Sequence, residues 1–414
     1  MPGTVLVLGT VSLITDVSSE MLTAVLPLYL VTELGLSPLG FGLLDGVYNG
    51  VSALVRLVGG HLADRGRRYK AAAAVGYGLS ALCKPALLVV HSVPLIGLVL
   101  AADRTGKGLR TAPRDAMISL ASPPDAQGRC FGVHRAMDTT GALLGPIAAF
   151  FVLGVASGGY DAVFTLSFCV AVTGVLVLLL FVPRRIPEPG SAPTQESPAP
   201  SLAPASAAPA SAVSLRAAFG LLRGPELRRL MLCALLLGLA TVSDAFLYLL
   251  LQRRLSLPPQ WFPLLPLVTA GAFLLLAVPL GQAADRFGRW RVFLSGHLGL
   301  LAAYGLVLAP TRGAAVPLAV AVAVLVLHGA FYAATDGVLM AAAAGSTPPE
   351  LRSSGLALVQ TGQAGARFVC SVLFGVAWTA WGDRAALTVA AVALAACVAT
   401  TAVLRPLRTA EAGE

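Results

Sequence analysis

The chain has 414 residues, of which 12% are charged and 57% hydrophobic, with a formal net charge of +9. A soluble globular chain carries about 25% charged residues, so this composition excludes an ordinary soluble domain and is that of a membrane protein. The positive charge might suggest a nucleic-acid partner, but its placement along the chain argues against one.

Apolar stretches of about 18 residues or more cross the hydrocarbon core as helix, and twelve are expected here: 4–32, 41–63, 71–91, 94–117, 131–154, 163–183, 229–252, 260–281, 291–310, 316–341, 354–378 and 383–404. The first lacks the basic leader region of a signal peptide and carries Asp16 and Glu20, so a permanent helix is expected. Four residues apart, those two carboxylates share a helix face. The second span carries Asp45 and Arg56 and runs into the basic turn "GHLADRGRRYK" at 60–70, and the third carries Lys84. The fourth is the most charged, with Asp103, Arg104, Lys107, Arg110, Arg114 and Asp115. Arg135, Asp138 and the run "GALLGP" (141–146) lie on the fifth.

After the sixth span comes "IPEPGSAPTQESPAPSLAPASAAPASAV" at 186–213. A Pro/Ala/Ser tract of this kind builds no packed core and reads as a disordered cytoplasmic linker. It divides the chain into a six-helix bundle at 1–185 and another at 214–408, with a tail at 409–414. The halves are related, because one offset takes Gly60 to Gly281, Asp64 to Asp285, Gly108 to Gly329 and Asp115 to Asp336. A parallel internal repeat follows. In the second half the charges thin out to Asp244, Asp336 and Arg367, with His328 beside them.

With the N-terminus inside, the inward loops and tail gather Arg65, Arg67, Arg68, Lys70, Arg286, Arg289 and Arg291 among others, while the outward loops hold Arg253, Arg254, Arg312 and Arg384. This positive-inside asymmetry predicts cytoplasmic termini. The six cysteines lie in or beside the spans without CxxC spacing, which indicates neither a disulfide framework nor a metal site.

"GHLADRGRR" (60–68) resembles the signature loop between helices 2 and 3 of the major facilitator superfamily, and "GQAADRFGR" (281–289) is similar to its echo between helices 8 and 9. "RTGKGLRTA" (104–112) resembles the family's helix 4 pattern, although Lys107 stands where the family often has Gln. "GALLGP" matches the helix 5 pattern that in this superfamily accompanies proton-coupled exporters of drugs and metabolites. The resemblance implies an all-α fold of twelve transmembrane helices in two pseudo-symmetric bundles around a midplane site. It also implies gating by Gly60, Asp64, Arg65, Gly66, Arg68, Arg110, Arg114, Asp115, Arg135, Asp138, Gly281, Asp285, Arg286 and Asp336. Anchoring alone also accounts for the basic turn, since drawing Arg or Lys to the membrane centre costs about 2.5–3.5 kcal/mol. Asp64 and Asp285 can sit against the positive end of a neighbouring helix. For Gly141, Gly145 and Pro146 a packing notch with a kink competes with the leak-preventing role that the resemblance implies.

At a rise of ~1.5 Å per residue, Asp16 lies ~18 Å from the inner face and Arg104 ~15 Å from the outer. Both come near the midplane, where they could meet, and Lys84 reaches a similar level. Arg104, Lys107, Arg110 and Arg114 stay within roughly one-third of the helix circumference, a ladder of cations facing one direction. Either the ladder recognises an anionic substrate and releases a proton from Asp16, or the acids neutralise it in fixed ion pairs. The candidates for proton coupling or substrate contact are Asp16, Glu20, Lys84, Asp103, Arg104 and Lys107, with Asp244, Gln360 and Gln363 from the second half. His328 and the aromatics Tyr48, Tyr248 and Tyr332 have ordinary packing roles as their default.

The expected function is secondary active transport by alternating access, as proton-coupled antiport exporting a small organic molecule of the kind associated with multidrug resistance. The alternative is uptake or uniport of an organic anion drawn by Arg104, Lys107 and Lys84. An enzyme is not expected, because no HExxH, GxSxG or P-loop occurs in its required context. No cofactor is expected beyond the proton gradient. The expected partners are a small-molecule substrate and the lipid of a bacterial inner membrane, with a monomeric chain.

Overall fold

A computed structural model describes residues 2–64, 69–123, 127–156, 159–183, 220–309, 316–347 and 352–404. The linker at 186–213, the tail at 409–414, and Arg65, Gly66 and Arg68 lie outside the described residues, as do the surroundings of Gly60 and the side chains of Arg56 and Asp64. The first half comprises α1 (Gly3–Thr32), α2 (Pro38–Asp64), α3 (Tyr69–Val89), α4 (Val93–Ala121), α5 (Gln127–Val155) and α6 (Gly159–Phe181). The second comprises α7 (Pro225–Ala240), α8 (Asp244–Arg254), α9 (Leu264–Phe287), α10 (Arg289–Leu308), α11 (Val316–Gly345) and α12 (Arg352–Leu404). No strand occurs among the described residues.

One departure from the expected spans matters for the site. The stretch 229–252, expected as one helix, is interrupted at Thr241–Ser243 and divides into α7 and α8. Residues 352–404, expected as two spans, are two helices that meet at a kink at Gly382, where φ is 84°, and together make up α12. Among the described residues, nine helices are long and apolar enough to cross a membrane, and α12 carries a 47-residue apolar stretch long enough for two crossings. Helix α4 does not qualify because of its charges, of which Asp103, Arg104, Arg110 and Arg114 are buried among neighbouring helices.

Apolar side chains form the core and also cover much of the outer face, while several charged groups are buried. Leu180 is 74% exposed, Leu275 79% and Val403 84%, whereas Lys84 and Arg110 are buried at 1% and 3%. In lipid an apolar outer face has no reason to hide, and helices associate through close packing and interhelical hydrogen bonds. Helix α1 packs along α5 and α6, and α3 along α4. In the second half α11 packs between α9 and α10, and α7 along α12. The halves meet where α2 lies against α12 and α5 against α9.

Candidate functional site

A cavity of 440 Å³ lies between the halves. Glu20 and Pro27 of α1, Asp45 and Tyr48 of α2, Asp244 at the start of α8, and Arg367 of α12 are among its walls. It is within the size range of small-molecule sites, about 300–1,000 Å³. At the end of the bundle where α2 begins, the cavity is capped by an aromatic cluster. Phe246 packs edge-on against Phe41 and Phe374, each with ring centroids 4.9 Å apart, and tilts against Trp378 at 5.7 Å. Nearby the Leu39 amide donates to Thr379 Oγ1 at 3.1 Å, and Ser371 Oγ donates to Asp45 Oδ2 at 2.6 Å. Gly42 allows this approach, because a Cβ there would run into the Ser371 carbonyl. At this end the first half of α2 meets α8 and the middle of α12, and Phe150 of α5 meets Trp261 with ring centroids 5.7 Å apart.

The charged ladder of α4 stands beside the cavity in the first half. Arg104 pairs with its neighbour Asp103 at 2.5 Å, and its guanidinium lies 4.2 Å from the centre of the Tyr48 ring. Asp103 also accepts from Ser80 at 2.6 Å, and Lys84 donates to the Ser80 carbonyl at 3.1 Å. Arg110 donates to Asp16 at 3.1 Å and stacks over Tyr77. Arg114 spreads over Ser12, Asp115 and Asp138 at 3.2, 3.0 and 3.3 Å, and Ser12 continues to His134 at 3.0 Å. Lys107 reaches Glu20 at 3.3 Å. The expected meeting of Asp16 with Arg104 is replaced by two separate pairs, two rungs apart with Lys107 between them. Asp16 engages α4 ~9 Å further along its axis than the rise per residue predicts, because packing sets the tilt and rotation of each helix.

In the second half the site is built on the interruption between α7 and α8. The backbone groups freed there find partners inside the protein: the Val242 amide donates to the Tyr304 hydroxyl at 2.9 Å, and Cys370 Sγ donates to the Thr241 carbonyl at 3.2 Å. Non-helical backbone at membrane depth persists where it is buried in protein or lines a cavity, and Thr241–Asp244 line this one. Asp244 opens α8, so its carboxylate sits at the positive end of a helix. It accepts from the Tyr332 hydroxyl at 2.6 Å and stands 3.0 Å from His328 Nε2. Arg367 lies 5.5 Å from the centre of the Tyr332 ring.

The other predicted residues fall in several places. Gly141 and Gly145 pack against α1: a Cβ on Gly141 would strike the Leu13 carbonyl, and one on Gly145 would come 2.8 Å from Glu20 Cβ and the Val17 carbonyl. Pro146 lines the cavity. Arg135 is 4.0 Å from Asp138 and largely exposed. Asp285 is exposed beside the first residue of α10, 3.9 Å from Arg289, while Arg286 lies over Phe287 and Gly281 has open space around it. Asp336, expected at a gate, lines the cavity. Gln360, expected to reach across the cavity, is exposed and directed at Met340 Sδ, 3.5 Å away. Gln363 borders a smaller pocket shared with Asp336 and Arg367. Asp45, Tyr48, His328, Tyr332 and Arg367 were not among the predicted site residues, yet the structure brings them to it. Among the described residues no group of three His, Cys, Asp or Glu could hold a metal ion.

Two helical bundles enclosing a cavity beside a discontinuous helix make the architecture of a secondary transporter. The sequence profile of the Major Facilitator Superfamily matches residues 8–311 and again 264–414, so the chain belongs to this superfamily and is a membrane transporter. An uncharacterised MFS-type transporter of Methanocaldococcus jannaschii is 28% identical over 388 residues, covering 90% of this chain and 88% of the relative. An uncharacterised protein of Mycobacterium tuberculosis is 34% identical over 190 residues, 45% of either chain. Among solved structures the fold is shared with the nucleoside transporter NupG (TM-score 0.79, 14% identity, 98% of this chain and 100% of that one). It is also shared with a POT family transporter in complex with 5-aminolevulinic acid (TM-score 0.74, 14% identity, 98% and 96%). A bacterial homologue of the lysosomal transporter Spinster, inward-facing and occupied, matches at a TM-score of 0.68, with 16% identity over 97% of this chain and 96% of that one.

Proposed function

We propose that this chain is a proton-coupled antiporter that exports a small organic molecule through the cytoplasmic membrane by alternating access. Its two six-helix halves, joined by the 186–213 linker, cross the membrane twelve times with both termini on the cytoplasmic side. The observation that carries the reading is the cavity: enclosed by both halves, capped at one end by Phe41, Phe246, Phe374 and Trp378, and edged by ionisable groups that lipid would not tolerate. With cytoplasmic termini the capped end faces outward, so this is an inward-facing state.

The lining also bears on the substrate. Glu20, Asp45, Asp244 and Asp336 face the cavity against Arg367 alone among the described cations that line it. Such a balance suits a neutral or positively charged molecule, held against apolar walls and the rings of Tyr48 and Tyr332. An organic anion is less well served: Lys84 and Arg104 are buried away from the lining, and Lys107 is turned to Glu20.

Proteoliposomes containing the full chain test this with uridine, dialanine, tetraphenylphosphonium and citrate, each with and without an imposed pH gradient. The expected result is gradient-driven exchange of a neutral or cationic member. Exchange of citrate alone, or the absence of a gradient effect on every member, overturns the reading.

A further inference from the structure

The ion pairs of the first half join a carboxylate to a permanent or strongly basic cation: Asp16 to Arg110, Asp103 to Arg104, Asp138 to Arg114, Glu20 to Lys107. The arginines in that series never lose their charge. Asp244 is different. Its partner His328 is the side-chain type whose ordinary titration falls between about pH 5 and 8.

The geometry of the pair is that of a carrier. His328 is 0% exposed and does not line the cavity, whereas Asp244 does. Nε2 faces the carboxylate, and Nδ1 has no hydrogen-bond partner among the described residues. The carboxylate already accepts from Tyr332 on the same oxygen. Other groups surround the pair. Asp45 comes from α2, Tyr248 from α8, Tyr304 from α10, Tyr332 from α11 and Arg367 from α12. Behind them Asp336 of α11 interacts with Arg367, Thr269 of α9 with Tyr248, and His297 of α10 packs on Phe331. Arg367 interacts with the carboxylates of Asp45, Asp244 and Asp336.

We propose, resting on the antiport reading above, that the Asp244–His328 pair carries the transported proton and that substrate in the cavity competes with the protonated imidazole for the Asp244 carboxylate. A hydronium ion in the cavity gives its proton to the cavity-facing Asp244 carboxylate, which hands it to His328 Nε2 while Nδ1 holds the ring's other proton; an O–H bond of hydronium breaks and water is left. An N–H bond forms, the site gains one positive charge, and Nε2–H then donates to Asp244. Substrate engaging Asp244 removes that stabilisation, and the same N–H breaks to return the proton to water. Binding of one therefore weakens binding of the other, and by linkage the effect is mutual. The non-helical Thr241–Ser243 segment lets Asp244 move without unwinding an intact helix.

The test is nuclear magnetic resonance of ¹⁵N-histidine-labelled full-length protein in lipid nanodiscs from pH 5 to 9. The chain has five histidines, and the His328 signal is the one lost in His328→Gln. It is expected to titrate, with a midpoint that moves by about one pH unit or more in Asp244→Asn and stays in place in Asp161→Asn on α6. If His328→Gln does not fold, replacing the other four histidines leaves the His328 signal alone. A His328 signal that keeps one protonation state throughout, or a midpoint indifferent to Asp244→Asn, overturns the proposal. Transport separates this from the parent reading. Where wild type shows gradient-driven exchange, His328→Gln should lower the gradient effect by about tenfold, within the usual range of site-to-site coupling. Unchanged coupling in that variant sinks the carrier role while leaving antiport standing; no gradient effect in wild type sinks antiport itself.

Discussion

The two halves of this transporter hold buried charge in opposite ways. In α1–α5 acids and bases are many and close, and Arg104, Arg110 and Arg114 each engage a carboxylate within 3.3 Å. In α7–α12 charges are sparse, and Asp244 answers to a histidine and a phenol beside an interrupted helix. On the proposed carrier role of Asp244 and His328, an abundance of ionisable groups is a poor guide to where a proton moves. Arginine pairs in a low-dielectric interior are rigid and strongly destabilising to break, which suits a scaffold, whereas a carboxylate paired with histidine can change charge near neutrality.

If the first-half ladder is scaffold, breaking it should be the costliest change. Arg110→Met removes the partner of Asp16 and is expected to destabilise by about 3–5 kcal/mol, read as a lowered thermal midpoint in detergent. Arg110→Met combined with Asp16→Asn should recover most of that loss. A single variant as stable as wild type would show the ladder to be dispensable. Gly141→Leu comes next, since its side chain must displace the α1 backbone at Leu13; overpacking of this kind costs about 1–3 kcal/mol.

Tyr332→Phe tests the second half. Deleting its hydroxyl removes one donor to Asp244, and hydrogen bonds between membrane helices are worth about 0.6–1.7 kcal/mol. The predicted signature is a small fall in stability accompanied by a shifted pH profile of exchange; a pH profile identical to wild type would detach Tyr332 from the coupling site. The smallest effect belongs to Arg289→Gln. Its pairing with Asp285 is exposed and long at 3.9 Å, so a loss of about 0–1 kcal/mol is expected, and a larger loss would signal partners beyond Asp285.

Particular residues show what could be read in advance. The apolar runs located the helices to within a few residues, because a 30 Å hydrocarbon core demands a minimum length of apolar helix whatever the fold. The glycines of "GALLGP" marked a close approach that the structure places against Leu13 and Val17. The interruption before Asp244 was hidden: "LATVSD" contains neither Gly nor Pro, and the one available signal was a serine followed by an acid, the pattern of a helix start. His328 was passed over because a lone histidine in an apolar helix has no partner in its own segment; Asp244 lies 84 residues away.

The amino-acid sequence by itself determined that this is a polytopic helical chain belonging to one transporter superfamily. Those properties depend on hydropathy and short motifs, which are local. Which charges pair and which line the cavity was decided by tertiary structure alone. Arg104 and Arg110 lie ~9 Å apart along α4 and roughly 120° apart around it, and the rotation and tilt that bring Asp16 to Arg110 are set by packing against neighbours.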